Sequence, residues 1–323
     1  MVKTLIDLVE FLRLCAPLLT STAIFALLST LLAKSIKKHA KVYYLILATP
    51  FILVAIPVIA RWFGAEMTGF ARLPVLGEIL RDYIHMGTFG HPLLIIIMYI
   101  GALDPKKIFV KKLMSIRKEL SIIVGFPVLT HSLIRVTNNF PNSVKFFTNN
   151  ADYLQNTKVV NELGAGISNF SFILGIVMLA IFLPLWVTSF SSVHRRMGNK
   201  KWKKLQKWSY VLYATLFIHA VGIQAGGMIN PRGGTAKPAA ETVIMQGQNG
   251  RESHPERPTP VENNKSDKNS EPVHPSSNGR MSSQGIKAIE VSRETKQVIH
   301  LTSLFLIYGS YLVLRLRKAK KAA

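Results

Sequence analysis

Long apolar segments separated by short basic links make up most of the chain. Crossing the hydrocarbon core of a membrane takes about 20 mostly apolar residues. The pattern therefore predicts seven transmembrane helices, at 14–33, 42–60, 84–103, 120–136, 167–189, 208–225 and 298–314. The predicted fold class is all-α, a polytopic membrane helical bundle.

The basic residues alternate along the links between these segments. They are concentrated after the first, third, fifth and seventh segments, where Lys34, Lys106, Arg195 and Arg317 are examples. Cytoplasmic loops of membrane proteins carry an excess of Lys and Arg. The alternation predicts an N-terminus outside the cytoplasm and a C-terminus inside it.

Composition narrows the choice of function. The 323 residues are 49% hydrophobic, and 40 Lys and Arg against 17 Asp and Glu give a net charge of +23. The basic residues lie beside apolar segments, so we expect a lipid bilayer as the partner and no nucleic acid. These features exclude an ordinary soluble enzyme and indicate a multi-pass protein of a prokaryotic cytoplasmic membrane. Cys15 is the single cysteine, which excludes an internal disulfide and a covalent Cys-x-x-Cys-His haem attachment.

The chain divides into four predicted regions. Residues 1–35 form an extra N-terminal helix, which we interpret as retained rather than as a cleaved signal peptide. Residues 36–227 form the helical core, and 297–323 form a last transmembrane helix with a basic cytoplasmic tail. Residues 228–296 are rich in Gly, Pro, Ser and Asn and predict a disordered extracytoplasmic loop.

Two histidines lie inside predicted spans, where an ionisable side chain is costly and indicates function. His131 and His219 each lie about twelve residues, or about 18 Å, from the cytoplasmic ends of their spans. Because both spans run in the same direction, the two imidazoles share one depth and could ligate a haem iron from both sides. Histidines that only hydrogen-bond between helices are the alternative. Arg135, one helical turn beyond His131, could pair with haem propionates or reach the interface.

Several motifs resemble a known family. They are Pro184-Leu-Trp-Val-Thr-Ser189, His194-Arg-Arg-Met-Gly198, Trp202-x-x-Leu-Gln206 and the later His219. This pattern resembles the ferric-reductase-like transmembrane domain family, and within it most closely the haem-binding membrane subunit of bacterial periplasmic methionine-sulfoxide reductase systems. Residues 117–131 and 85–90 resemble the helices that precede the motifs in that family. The resemblance implies a b-type haem with His131 and His219 as axial ligands of the iron.

One departure from the family pattern bears on the number of haems. Gln206 stands where the family has a cytoplasmic-side His, and the matching position on the fourth span falls near Lys118. Neither residue is a usual haem ligand, so we expect one haem, in the outer leaflet. His85 matches the start of a family helix and could ligate a second haem or bind a propionate. For His91 a hydrogen bond beside a kink is expected, and for His300 an interfacial position.

The predicted function is electron relay by a membrane b-type haem protein, as the electron-transfer subunit of an oxidoreductase. No dinucleotide-binding motif is visible, so electrons would come from a separate cytoplasmic flavoprotein, from membrane quinol, or through a flavin bound between helices. The acceptor would be extracytoplasmic: ferric iron, a partner reductase or a flavin carrier. The alternatives are a haem-free transporter or proton-coupled carrier that uses the intramembrane histidines, and a membrane anchor whose outer loop recruits a partner.

Overall fold

The computed structural model describes residues 16–65, 74–85, 88–231 and 293–320. Every regular element in these ranges is helical, which confirms the all-α fold class. The helices are α1 (Pro17–Leu31), α2 (Ala33–Lys38), α3 (Ala40–Trp62), α4 (Pro74–Ile84), α5 (Gly90–Ala102), α6 (Ile108–Ser115), α7 (Arg117–Ile123), α8 (Gly125–Asn138), α9 (Phe140–Thr148), α10 (Asn150–Asn156), α11 (Glu162–Val187), α12 (Ser191–Met197), α13 (Asn199–Gln206), α14 (Trp208–Ile229) and α15 (Arg293–Lys320).

Five helical stretches are long and apolar enough to cross a membrane. They are Ala40–Trp62, Arg117–Asn138, Glu162–Val187, Asn199–Ile229 and Glu294–Lys320. The second stretch joins α7 to α8, and the fourth joins α13 to α14. They support a multi-pass membrane protein and correspond to five of the seven predicted spans.

The first and third predicted spans correspond to shorter apolar helices. Helix α1 has 15 residues, and α5 has 13 residues, about 20 Å. The third segment, predicted as continuous over 84–103, is interrupted because α4 ends at Ile84 and α5 begins at Gly90. The count of seven spans and the orientation of the termini therefore stay predictions. Most of the loop predicted at 228–296 lies outside the described residues, as do residues 1–15.

Helix α5 is the most deeply buried helix of the bundle. Eleven of its residues are buried, which is the pattern of a helix enclosed by protein on all sides. Side chains of α1, α7, α8, α11, α14 and α15 join it in one apolar cluster. This cluster is the core around which the other helices are arranged.

Helix α15 is hydrogen-bonded to the C-terminal end of α5. The last carbonyl groups of a helix have no partners within it. Arg315 Nη1 and Lys318 Nζ donate hydrogen bonds to the Gly101 carbonyl oxygen at 3.1 and 3.0 Å. Tyr99 Oη, on α5, donates to the Ile307 carbonyl oxygen at 2.6 Å. These bonds satisfy the end of α5 and fix α15 beside it.

Helices α11 and α14 approach each other closely and run antiparallel. A Cβ atom added to Gly222 would lie 2.1 Å from Ser171 Oγ, and one added to Gly226 would lie 2.8 Å from the Gly164 carbonyl oxygen. Small residues permit such close contact between membrane helices. The two contacts pair the start of α11 with the end of α14.

Helices α8 and α11 also run antiparallel. Trp186 Nε1, near the end of α11, donates to the Ile122 carbonyl oxygen at 3.0 Å. Ser143 Oγ, just beyond α8, donates to Asn169 Oδ1 near the start of α11 at 2.9 Å. Because α8 and α14 are both antiparallel to α11, they run parallel to each other. Equivalent steps along α8 and α14 therefore lead toward the same end of the bundle.

Candidate functional site

A cavity of about 330 Å³ lies between α5, α8, α11, α14 and α15. This volume falls at the lower end of the range for small-molecule and cofactor sites. Its walls are mainly apolar, from Leu94, Val128, Phe172, Ile176, Met178, Leu179, Phe182, Leu212 and Leu216. The polar groups that line it are Ser132 and Gln224, together with His85, His91, His131, Arg135, His219 and His300.

The ionisable side chains that line the cavity are all basic. Five of the nine histidines of the chain reach the cavity, together with one arginine. Among the lining residues that the structure describes there is no Asp or Glu. Apolar walls with imidazole and guanidinium groups suit an apolar ligand that carries negative charge.

His131 and His219 have matching hydrogen bonds to backbone carbonyl groups. His131 Nδ1 lies 3.1 Å from the Ile84 carbonyl oxygen, and His219 Nδ1 lies 2.7 Å from the Ser171 carbonyl oxygen. A carbonyl oxygen only accepts, so each Nδ1 carries the proton and donates it. In the neutral imidazole Nε2 then has the lone pair. A backbone carbonyl that fixes Nδ1–H is the usual support of a histidine that ligates a metal through Nε2.

Both imidazoles are half-buried because they face the cavity between the helices. Gly175 on α11 provides room beside the His219 ring. A Cβ atom at this position would lie 3.3 Å from His219 Cε1. A larger side chain at 175 would press on the imidazole, so the glycine helps to define the shape of the cavity.

The other two predicted site residues reach the same cavity. Arg135 is half-buried, and its Nη1 donates to Asn139 Oδ1 at 3.2 Å. His85 follows α4, has an exposed side chain, and places Nδ1 3.2 Å from Thr88 Oγ1. The structure thus brings His131, Arg135 and His85 together with His219. Their role in binding haem stays a prediction.

Two further histidines, given lesser roles from the sequence, also line the cavity. His91 is buried, and its Nε2 lies 2.8 Å from Tyr308 Oη of α15. The hydrogen bond expected for His91 is present, although its partner comes from the last helix. His300 is half-buried on α15 and faces the cavity, so its surroundings are not simply interfacial.

Lys118 and Gln206, which stand where the resemblance leads us to expect cytoplasmic-side ligands, do not line this cavity. Lys118 Nζ is 3.3 Å from Glu119 Oε1, and Gln206 ends α13. The Trp186 indole fills the space against the start of α8, since a Cβ atom on Gly125 would fall 1.8 Å from Trp186 Nε1.

A bare metal ion has no evident site in the part of the chain that the structure describes. No group of three or more His, Cys, Asp or Glu residues is arranged to hold one. A haem differs, since the porphyrin supplies most ligands of the iron and the protein adds the axial ones. Two histidines that line one cavity could therefore serve as the axial ligands of a haem, although they are too few to hold a bare ion.

The described helices form a bundle with an internal cavity lined by histidines, and five of its helical stretches are long and apolar enough to cross a membrane. Residues 84–217 match the family described as "Ferric reductase like transmembrane component". The matched segment runs from the end of α4 to within two residues of His219 and contains His85, His91 and His131. This ferric-reductase-like segment suggests electron transfer in a membrane.

Two curated relatives are similar to the chain. A protein of Treponema pallidum (strain Nichols) named "Uncharacterized protein" is 26% identical over 204 residues, 62% of this chain and 49% of that protein. Magnetosome protein MamZ of Paramagnetospirillum magneticum (strain ATCC 700264 / AMB-1) is 41% identical over 49 residues, 15% of this chain and 8% of that protein. The chain therefore spans at most about half the length of the curated relatives it matches. No solved structure matches it.

Proposed function

We propose that the protein is a membrane b-type haem protein that relays electrons toward an acceptor outside the cytoplasm. One observation carries the proposal. His131 and His219 line the same apolar cavity, and each donates Nδ1–H to a backbone carbonyl group, which leaves the Nε2 lone pair for a metal. The match of residues 84–217 to a ferric-reductase-like component supports electron transfer as the purpose of this site.

The remaining lining fits a porphyrin. The apolar walls would pack on the macrocycle and exclude water, and the absence of Asp and Glu among the described lining residues avoids repulsion with its carboxylates. Arg135 and His85 are the groups predicted to meet those carboxylates. When bound, haem supplies an iron that accepts and releases one electron at a time. His131 and His219 would hold that iron and contribute to its reduction potential.

Neither Lys118 nor Gln206 is a usual haem ligand, which supports a single haem for each chain. The donor would be a separate flavoprotein, a quinol or a flavin bound between helices. The acceptor would be ferric iron, a partner reductase or a flavin carrier outside the cytoplasm. Resemblance of the motifs at 184–206 to the membrane subunit of methionine-sulfoxide reductase systems favours a partner reductase, and the protein is expected in the cytoplasmic membrane as an electron-transfer subunit.

Haem content tests the proposal directly. The full chain is purified in detergent from cells supplied with ample haem, and haem b is counted per polypeptide as the pyridine haemochrome. We expect about one haem with the optical spectrum of a bis-histidine site. His131→Ala combined with His219→Ala should abolish it, whereas His194→Ala, on α12 and outside the cavity, should not.

A colourless wild-type protein from the same cells would overturn the proposal. Proton-coupled uptake into vesicles by that colourless protein would then support the transporter.

A further inference from the structure

The last helix contributes to the cavity although it lies outside the family-matched segment. Helix α15 supplies His300 to the lining and Tyr308 as the partner of His91. The matched segment ends at residue 217. This chain therefore builds part of its candidate site from a helix that the ferric-reductase-like segment does not include.

The level of His300 in the bundle follows from three contacts between α14 and α15. Arg315 lies over the Tyr210 ring at 5.0 Å, the Phe217 and Tyr308 rings are 5.0 Å apart, and Gln297 Nε2 would be 3.8 Å from a Cβ atom on Gly227. In these contacts the residue numbers of α15 fall as those of α14 rise, so the two helices are antiparallel. His300, three residues after Gln297, is thus level with about residue 224.

Three polar side chains lie further along the direction of the parallel helices α8 and α14, Arg135 beyond His131 and both Gln224 and His300 beyond His219. Gln224 is five residues beyond His219, about 7.5 Å along α14. Arg135 is four residues beyond His131, about 6 Å along the parallel helix α8. His300 is level with Gln224. All three line the cavity, and we call them the polar rim at its predicted extracytoplasmic end.

We propose that this rim, formed by Arg135, Gln224 and His300, binds the two carboxylates of the porphyrin and so makes α15 part of the cofactor site. The inference rests on the proposed haem function. Guanidinium, imidazole and amide N–H groups are all donors to carboxylate oxygens, and hydrogen bonds to a charged acceptor are the strong ones. The described lining contains no carboxylate that would compete for these donors.

The carboxylates themselves provide the test. Full-length protein made in haem-deficient cells is titrated with haemin and with haemin dimethyl ester, which lacks free carboxylates, and the Soret absorbance is followed. Wild-type protein should bind haemin at least about tenfold more tightly than the ester. His300→Ala should weaken haemin binding by about tenfold and change ester binding by less than about twofold. Gln224→Leu should act in the same direction with a smaller effect.

Two further variants separate carboxylate binding from packing. His300→Gln retains an N–H donor and should restore part of the preference for haemin. Thr302→Ala, on an exposed position of α15, should bind both porphyrins as the wild type does.

If His300→Ala weakens the binding of both porphyrins equally, or weakens the binding of neither, the proposed role of the rim is wrong. Equal affinity of wild-type protein for haemin and its ester would show the same and leave the haem function standing. Failure of wild-type protein to bind either porphyrin would instead remove the proposed function itself.

Discussion

Replacing Gly175 by valine should expel haem from the cavity. A Cβ atom here would already lie 3.3 Å from His219 Cε1, and the two methyl groups of valine extend further. Overpacking of this kind costs about 1–3 kcal/mol. If the ring moves, loss of the hydrogen bond from His219 Nδ1 to the Ser171 carbonyl oxygen adds about 1 kcal/mol to this cost. The sum of about 2–4 kcal/mol corresponds to haemin binding that is roughly 30-fold to 700-fold weaker.

The assay is haemin titration of the full-length apoprotein, with haem content of the protein as purified for comparison. Gly166→Val is the matched control, because it makes the same change in α11 but places its Cβ 3.4 Å from Phe146 Cζ, away from the cavity. The control should bind haemin with an affinity within about threefold of wild type. Equal haemin affinity of Gly175→Val and Gly166→Val would refute the reasoning that the glycine makes room for the His219 ring.

Three other experiments test separate parts of the structure. Gly125→Ala should lower thermal stability in detergent by about 2–3 kcal/mol, because its Cβ would fall 1.8 Å from an indole nitrogen; an unchanged melting temperature would contradict that packing. Tyr308→Phe should cost about 1 kcal/mol through the lost hydrogen bond to His91 while haem content is retained; loss of all haem would give Tyr308 a direct role. In a cysteine-free background, Gln155→Cys should react with an impermeant thiol reagent in intact cells and Lys112→Cys only after permeabilisation; the reverse would invert the predicted topology.

The sequence predicts a depth for His131 and His219, because depth along a helix follows from counting residues. Each turn of a spanning helix advances a fixed distance, and the apolar pattern indicates where the span begins. Whether two side chains face one cavity depends on how each helix is rotated about its axis. That rotation is set here by close contacts such as Gly222 against Ser171. Counting residues therefore predicts a level for the site, but not which side chains line it.

The break before α5 shows a different reason for error. The segment 84–103 is apolar enough to predict one continuous helix, yet α4 ends at Ile84 and α5 begins only at Gly90. Gly87, Gly90 and Pro92 were signals of an interruption, since glycine and proline punctuate helices. Because of the break, the Ile84 carbonyl group is available to His131 Nδ1. A local departure from the pattern is thus tied directly to the candidate site.

The position of His300 had no comparable signal, because α15 follows a long segment whose length says nothing about where the helix packs. What fixes α15 is its attachment to α5, a helix of about 20 Å that is too short to cross a bilayer core of about 30 Å unaided. Arg315 and Lys318 satisfy the Gly101 carbonyl group at the end of α5, while Tyr308 bonds His91 near its start. Helix α15, which packs against α5, thereby also forms one wall of the cavity. Helix α15 therefore both stabilises the short helix α5 and completes the candidate site. A variant that detaches α15 should lower the stability of the protein and weaken haemin binding together.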